Sequence, residues 1–331
     1  MIRVAALALA ALMALPTAPR AACTGASAFD LLTPEEQTEL EAAVERTPYP
    51  RGLRWTATRG ADRIDLVGTM HIWDPRLLPL LERVTPDIAA AELILLEMTE
   101  VERDQLQNSL LEQPGRFFIT DGPTLPDLLT PEMWEAVRTA AADRNIPAFM
   151  AAKHQPWFLG LSLSIPACAM EDMIAGREGL DQLIIDTASD LGRPMAPLED
   201  WDTLFILFEE FLADDQVKFL ESALAPSETQ TALFTAMLDG YFAGEIARIW
   251  ELSRVMIDDN VTMTAEEAEA MFAETERLLL TVRNARWMDR IAAALEDHDR
   301  VMVAAGAGHL PGDTGLLSLL AAEGWNLSPA D

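Results

Sequence analysis

Near its two ends the chain carries one phrase twice, GTMHIWDPRLLPLL from Gly68 and GAGHLPGDTGLLSLL from Gly306, each behind an apolar run. Each copy reads as a buried strand, then Gly-x-x-His, then an amphipathic helix, because the spacing of apolar residues changes from strand-like to helix-like at the glycine. This turn puts His71 and His309, two of the 4 histidines in the chain, just past the carboxyl ends of strands. Ligands collect at that edge in open α/β sheets. Gly68 and Gly306 suit turns that need close backbone approach. Neutral imidazole is the commonest metal ligand, with carboxylate next. Two copies in matched contexts predict that His71 and His309 meet across a cleft and hold a divalent metal.

The intervening sequence fills out an α/β fold. An acidic helix is predicted near Pro34 to Thr47, then a hairpin turning at Arg59 to Asp62 whose second strand delivers Gly68. A helix from about Arg76 to Ala91 and a strand from Leu93 to Leu96, ending in Glu97, complete a parallel βαβ unit. His71 and Glu97 are thereby expected to leave neighbouring strands at one sheet edge. Further strands are predicted for GRFFITDG, for the stretch ending near Glu199, for RVMVAAGAGH and for Trp325 to Leu327. Helices are predicted from Pro131 to about Arg144, over GLDQLIIDTASD and over GDTGLLSLLAAEG. From Trp201 to about Ala294 the pattern turns to long helices broken at Pro226 and around Asp258 to Thr264. The expected fold is α/β, with two related strand-GxxH-helix halves forming a mostly parallel sheet core. Residues 201–294 would be a helical insertion or cap within a domain spanning 23–331.

The leading MIRVAALALAALMALPTAPRAA reads as a signal peptide over residues 1–22, which implies a periplasmic or secreted protein. Cys23 directly after it also permits a lipoprotein reading, but Arg20 stands where a lipidation site wants an aliphatic residue. Cys23 and Cys168 are the only 2 cysteines, and an even count in an oxidising compartment indicates one disulfide; two unpaired buried thiols are the alternative. No later stretch reaches membrane-spanning length without charges. With Lys plus Arg at 24 and Asp plus Glu at 54, the net charge of −30 repels nucleic acid and anionic lipid.

Glu97 leaves a dry strand end, where it could ligate a metal or act as general base on its water; a surface carboxylate is the plain alternative. Asp74 and Asp313 follow their histidines closely, either as partners that orient a ligand or as helix N-caps. Arg283 and Asn284 lie on an otherwise apolar helix, and a buried guanidinium demands an acidic partner or a substrate anion. His154, before a helix start, is read as surface or as a support to the site. The chain has no His-Glu-x-x-His helix, Gly-x-Ser-x-Gly elbow or P-loop. GAGHLPG also departs from the dinucleotide fingerprint, since its third glycine comes one residue late and Pro311 interrupts it.

Gly68 to His71, Glu97, the Lys-x-x-Pro-Trp of Lys153 to Trp157, Gly179 to Asp181, Leu198 with Glu199, Arg283 with Asn284, and GAGHLPG together resemble the TraB/PrgY/GumN family. The agreement runs in order over nearly all the chain after the leading segment, and looks closest to the exported GumN-like branch. Tiki metalloproteases are related to this family. The resemblance implies hydrolysis dependent on manganese or cobalt, with zinc a further candidate. His71, His309 and Glu97 would be ligands, Arg283 would act in catalysis, and the substrate would be a peptide or protein. The alternative is a non-catalytic periplasmic binding protein for a metal, haem or a signalling peptide.

Overall fold

The computed structural model describes residue 23 and residues 25–203, 205–206, 216–257 and 264–330. The signal segment expected over 1–22 lies outside the described residues, as does the helix break expected around Asp258 to Thr264 except for Thr264, which caps helix Ala265–Glu276. Strands β1 (Arg54–Arg59), β2 (Asp62–Thr69), β3 (Leu93–Leu96), β4 (Met195–Pro197), β5 (Arg300–Gly306) and β6 (Asn326–Pro329) form one sheet in the order β4-β3-β5-β2-β1-β6. The strands β4, β3, β5 and β2 run parallel, while β1 pairs antiparallel with both β2 and β6.

Alternation along the strands divides the core in two. Val67, Ile94, Leu96, Met302 and Ala304 face helices Leu77–Ala90 and Leu180–Asp190. Ile64, Leu66, Leu95, Val301, Val303 and Ala305 face helices Val282–Ala294 and Leu316–Ala322. A strand covered on both faces reads as a continuous apolar run, and VMVAA of β5 is that run.

One expectation about order needs correcting. β2 and β3 are parallel but not neighbours, because β5 lies between them. The crossover through Leu77–Ala90 skips one strand position, and the late, doubly apolar β5 fills it. Glu97 and His71 therefore flank the second Gly-x-x-His turn on its two sides. GRFFITDG is not a strand either. Pro114 opens the short helix Pro114–Phe117, and only an isolated bridge joins Phe118 to His154. Phe117 is instead buried among Trp157, Phe158 and Phe205.

The helical stretch divides as well. Helices Ser227–Phe242 and Ile246–Ile257 pack together, and Ile246–Ile257 also packs on the N-terminal helix Pro34–Arg46. Val282–Ala294 instead belongs to the second core, with Trp287, Met288 and Ile291 buried against the sheet. Among the described residues no single helix is long and apolar enough to cross a membrane.

Cys23 and Cys168 form a disulfide across a sequence separation of 145, which leaves Cys23 no thiol for a lipid thioether. The bridge ties the start of the described chain to helix Ala167–Ile174. Closing so long a loop restricts the unfolded chain. Replacing both cysteines by alanine is expected to cost about 2–5 kcal/mol of stability, read as a lowered urea midpoint; an unchanged midpoint would show that the bridge is not made.

Candidate active site

Register fixes the site before any side chain does. Gly68 pairs with Ala305 and Thr69 with Gly306 across β2 and β5, and Leu96 pairs with Ala304 across β3 and β5. Both Gly-x-x-His phrases and Glu97 consequently leave the sheet at one edge. A Cβ on Gly68 would lie 2.9 Å from Ala307 Cβ and 3.1 Å from Leu310 Cδ1, so the first glycine makes room for the turn that carries His309. A Cβ on Gly306 would lie 3.2 Å from Glu97 Oε1, 3.7 Å from His309 Cδ2 and 4.0 Å from His71 Nε2. The expected trio therefore gathers around the second glycine.

Arg283 binds this cluster together. Its Nη2 donates to Glu97 Oε2 and to Glu199 Oε1, each at 2.5 Å, and its Nε donates to both Glu199 oxygens at 3.1 and 2.9 Å. Nη1 donates to Leu279 O and to His309 Nε2, both at 3.1 Å. Trp287 Nε1 donates to Glu199 Oε2 at 3.1 Å. A π-helical turn, Arg277–Thr281, leads into the helix that carries Arg283 and Asn284; such turns break helical regularity and recur at functional sites.

His309 is buried, and its tautomer follows from its partners. Asn284 Nδ2 donates to the carbonyls of Thr314 at 2.9 Å and His309 at 3.4 Å, which turns Asn284 Oδ1 toward His309 Nδ1 at 2.6 Å. The network therefore assigns the N–H to Nδ1 and leaves a lone pair on Nε2. Burial first, and then the Arg283 and His71 charges, lower the His309 pKa to about 3, although Glu97 pulls the other way.

His71 is the opposite case, with 63% of its side-chain surface exposed and Nδ1 3.1 Å from Asp181 Oδ1. Against the desolvation that would lower it, Asp181 and then Glu97 raise the His71 pKa to about 9. Desolvation would raise the pKa of Glu97, but Arg283, His309, His71 and the Gly306 N–H (2.6 Å to Oε1) together hold it well below the usual carboxylate range.

Glu97 and Glu199 thus share one guanidinium, while Asp181 pairs with His71. With His71 protonated, as its raised pKa implies, the three carboxylates outnumber the cations by one, and a divalent cation taking the place of that proton would balance them. The donor chemistry fits one as well, since each histidine has a side-chain oxygen beside Nδ1 and its Nε2 toward the cluster, the arrangement that orients metal-binding imidazoles. Among the described residues no three His, Cys, Asp or Glu groups already converge at ligand distance; Glu97 Oε1 and His309 Nε2 lie 4.0 Å apart, and Arg283 donates to both side chains.

Other candidates fall elsewhere. Buried Asp74 accepts from Arg76 N, Nε and Nη2 and so shapes the turn into helix Leu77–Ala90. Asp313 is exposed, and the helix after it starts from Gly315. His154 is buried 2.8 Å from Met150 O and stacks on Phe158, in an aromatic cluster rather than beside the metal candidates. Spacing arguments alone passed over Asp181, Glu199 and Trp287. Glu199 had a usable signal, for it follows an apolar strand end as Glu97 does.

A family model, that of the TraB/PrgY/gumN family, matches residues 53–329. The chain belongs to this family. The TraB/PrgY/gumN match runs from before β1 to the end of β6 and includes His71, Glu97, Asp181, Glu199, Arg283 and His309. No curated protein and no solved structure matches the chain.

Two outcomes test this geometry. A Cβ on Gly179 would lie 2.1 Å from Met70 O and 2.5 Å from His71 Cα, so Gly179→Ala should push the backbone of His71 away from Asp181. Loss of the His71–Asp181 contact by NMR, with the melting temperature lowered, is the result anticipated. For pH, His309 drops from 6.5 to about 3 on folding, so the unfolded chain binds more protons between those values. The stability His309 contributes is present above pH 6.5 and is lost as pH falls toward 3, by up to about 1.4 kcal/mol per unit. Urea midpoints should fall from pH 7 to pH 4.5, and less steeply in His309→Gln.

Proposed function

We propose that this TraB/PrgY/gumN protein is an exported metal-dependent hydrolase acting on peptides or proteins, with His71, Glu97 and His309 as ligands of manganese, cobalt or zinc. The observation that carries the reading is the cluster around Gly306, where two oriented imidazoles and an ionised carboxylate lie in a pocket of excess negative charge. Such a cation, when bound, polarises a carbonyl and acidifies a water.

The chain's own residues do the rest. Asn284 and Asp181 hold the two rings in place. Glu97, acidic and doubly hydrogen-bonded, suits ligation better than proton transfer, because a general base works best with a pKa near ambient pH. Arg283, fixed on Glu199, aims N–H groups at the centre, where they would stabilise an oxyanion on the scissile carbonyl. The disulfide supports export to an oxidising compartment. The peptide class follows from the likeness to Tiki proteins.

Incubating a peptide mixture with the protein and manganese, cobalt or zinc should give metal-dependent cleavage by mass spectrometry. His71→Ala and Glu97→Gln should each reduce it by about 100-fold or more. Intact peptides alongside a tightly retained ligand would make this a binding protein instead. Ligation needs neutral His71, whose proton leaves near pH 9, so metal affinity should rise about tenfold per pH unit toward that value. A flat profile in calorimetric titration from pH 6 to 8 would remove His71 from the ligand set.

A further inference from the structure

We infer that Arg283 is an internal counter-ion that competes with the metal, holding Glu97 and His309 until a divalent cation shifts its guanidinium onto Glu199. The inference rests on the proposed ligand set. It adds a role for Arg283 as a positioning residue that sets how tightly and how reversibly the cation is held.

The competition follows from lone pairs. The Nε2 lone pair of His309 accepts from Arg283 Nη1 at 3.1 Å. A metal–nitrogen bond of about 2.0–2.1 Å needs that same lone pair, so one occupant excludes the other. Glu97 Oε2 is likewise held by Nη2 at 2.5 Å, and any ligand bond to that oxygen weakens this contact.

The displaced guanidinium has somewhere to stay. Glu199 takes both Nε and Nη2, Leu279 O takes Nη1, and the ring of Trp287 lies 4.8 Å beneath the guanidinium carbon. Trp287 Nε1 in turn fixes Glu199. Only the contacts to His309 and Glu97 have to be given up. The retained positive charge then sits beside the cation and lowers its affinity, while in its absence the same group keeps two largely covered carboxylates from repelling each other.

The test is calorimetric titration of manganese or zinc chloride into chelator-stripped wild type, Arg283→Met and Arg283→Lys. Arg283→Met should bind at least about tenfold more tightly, since it loses both the competing contact and a nearby like charge. Lysine keeps the charge but cannot span Glu199, Glu97 and His309 together, so Arg283→Lys should also bind more tightly than wild type. If the methionine variant fails to fold, the lysine variant carries the test alone. Wild type binding metal with both variants equal or weaker overturns the competition and leaves the proposed ligands standing. Variants that bind while wild type does not uphold the competition and overturn the hydrolase reading. No binding by any of the three sinks both.

Discussion

Everything at the candidate site depends on the parallel register of β2 against β5. That pairing sets Gly68 opposite Ala305 and Thr69 opposite Gly306, so each Gly-x-x-His turn begins against the other's backbone. A slip of one residue would turn every β2 side chain to the opposite face, moving Val67 out of one core and Leu66 out of the other. The hydrophobic layers and the proximity of the two histidine turns are thus a single constraint. The glycines are its local expression, because a side chain at Gly68 would collide with Ala307 and one at Gly306 would press on Glu97.

Charge balance is the second constraint, and it links the layers. Glu97 and Glu199 leave two adjacent parallel strands, β3 and β4, and both point to Arg283 on a helix of the second core. An unpaired buried carboxylate costs several kcal/mol, so the helix carrying Arg283 cannot slide without exposing that cost. Asn284, one residue on, uses the same anchoring to fix the ring of His309. Two consecutive polar residues on the buried face of an amphipathic helix therefore serve the sheet edge, one through charge and one through hydrogen bonds.

Much of this was legible in the sequence because it is local. The period change at Gly68 and Gly306, the short apolar strand before Glu97 and the hairpin at Arg59 to Asp62 are all recorded in neighbouring residues. The Cys23–Cys168 bridge was legible because only one pairing of two cysteines exists. Strand order was not, since nothing between Leu93 and Glu97 records that the last long strand of the chain will insert beside it. GRFFITDG failed for a related reason. Its alternating aromatics fit a strand, but Pro114 favours a helical turn, and the phenylalanines found an aromatic cluster to enter instead of a sheet. Asp181 and Glu199 were marked only by the family motifs, and their roles stayed unread because a carboxylate acquires meaning from its partner, and each partner comes from a distant segment.

The helices between β4 and β5 are more than a cover. Tyr241, on helix Ser227–Phe242, donates to Gly68 O at 2.9 Å, and helix Ile246–Ile257 rests against the Ala307–His309 turn. Arg76, which grips Asp74 after the first histidine, also reaches Asp239 on the Tyr241 helix and lies over Phe242. The two helices therefore touch the backbone of one histidine turn each while packing on one another. A shift between them would be transmitted to the spacing of His71 and His309, because packed interiors pass displacement on with little absorption. Helical packing outside the candidate site thus bears on the separation of the two imidazoles alongside the sheet.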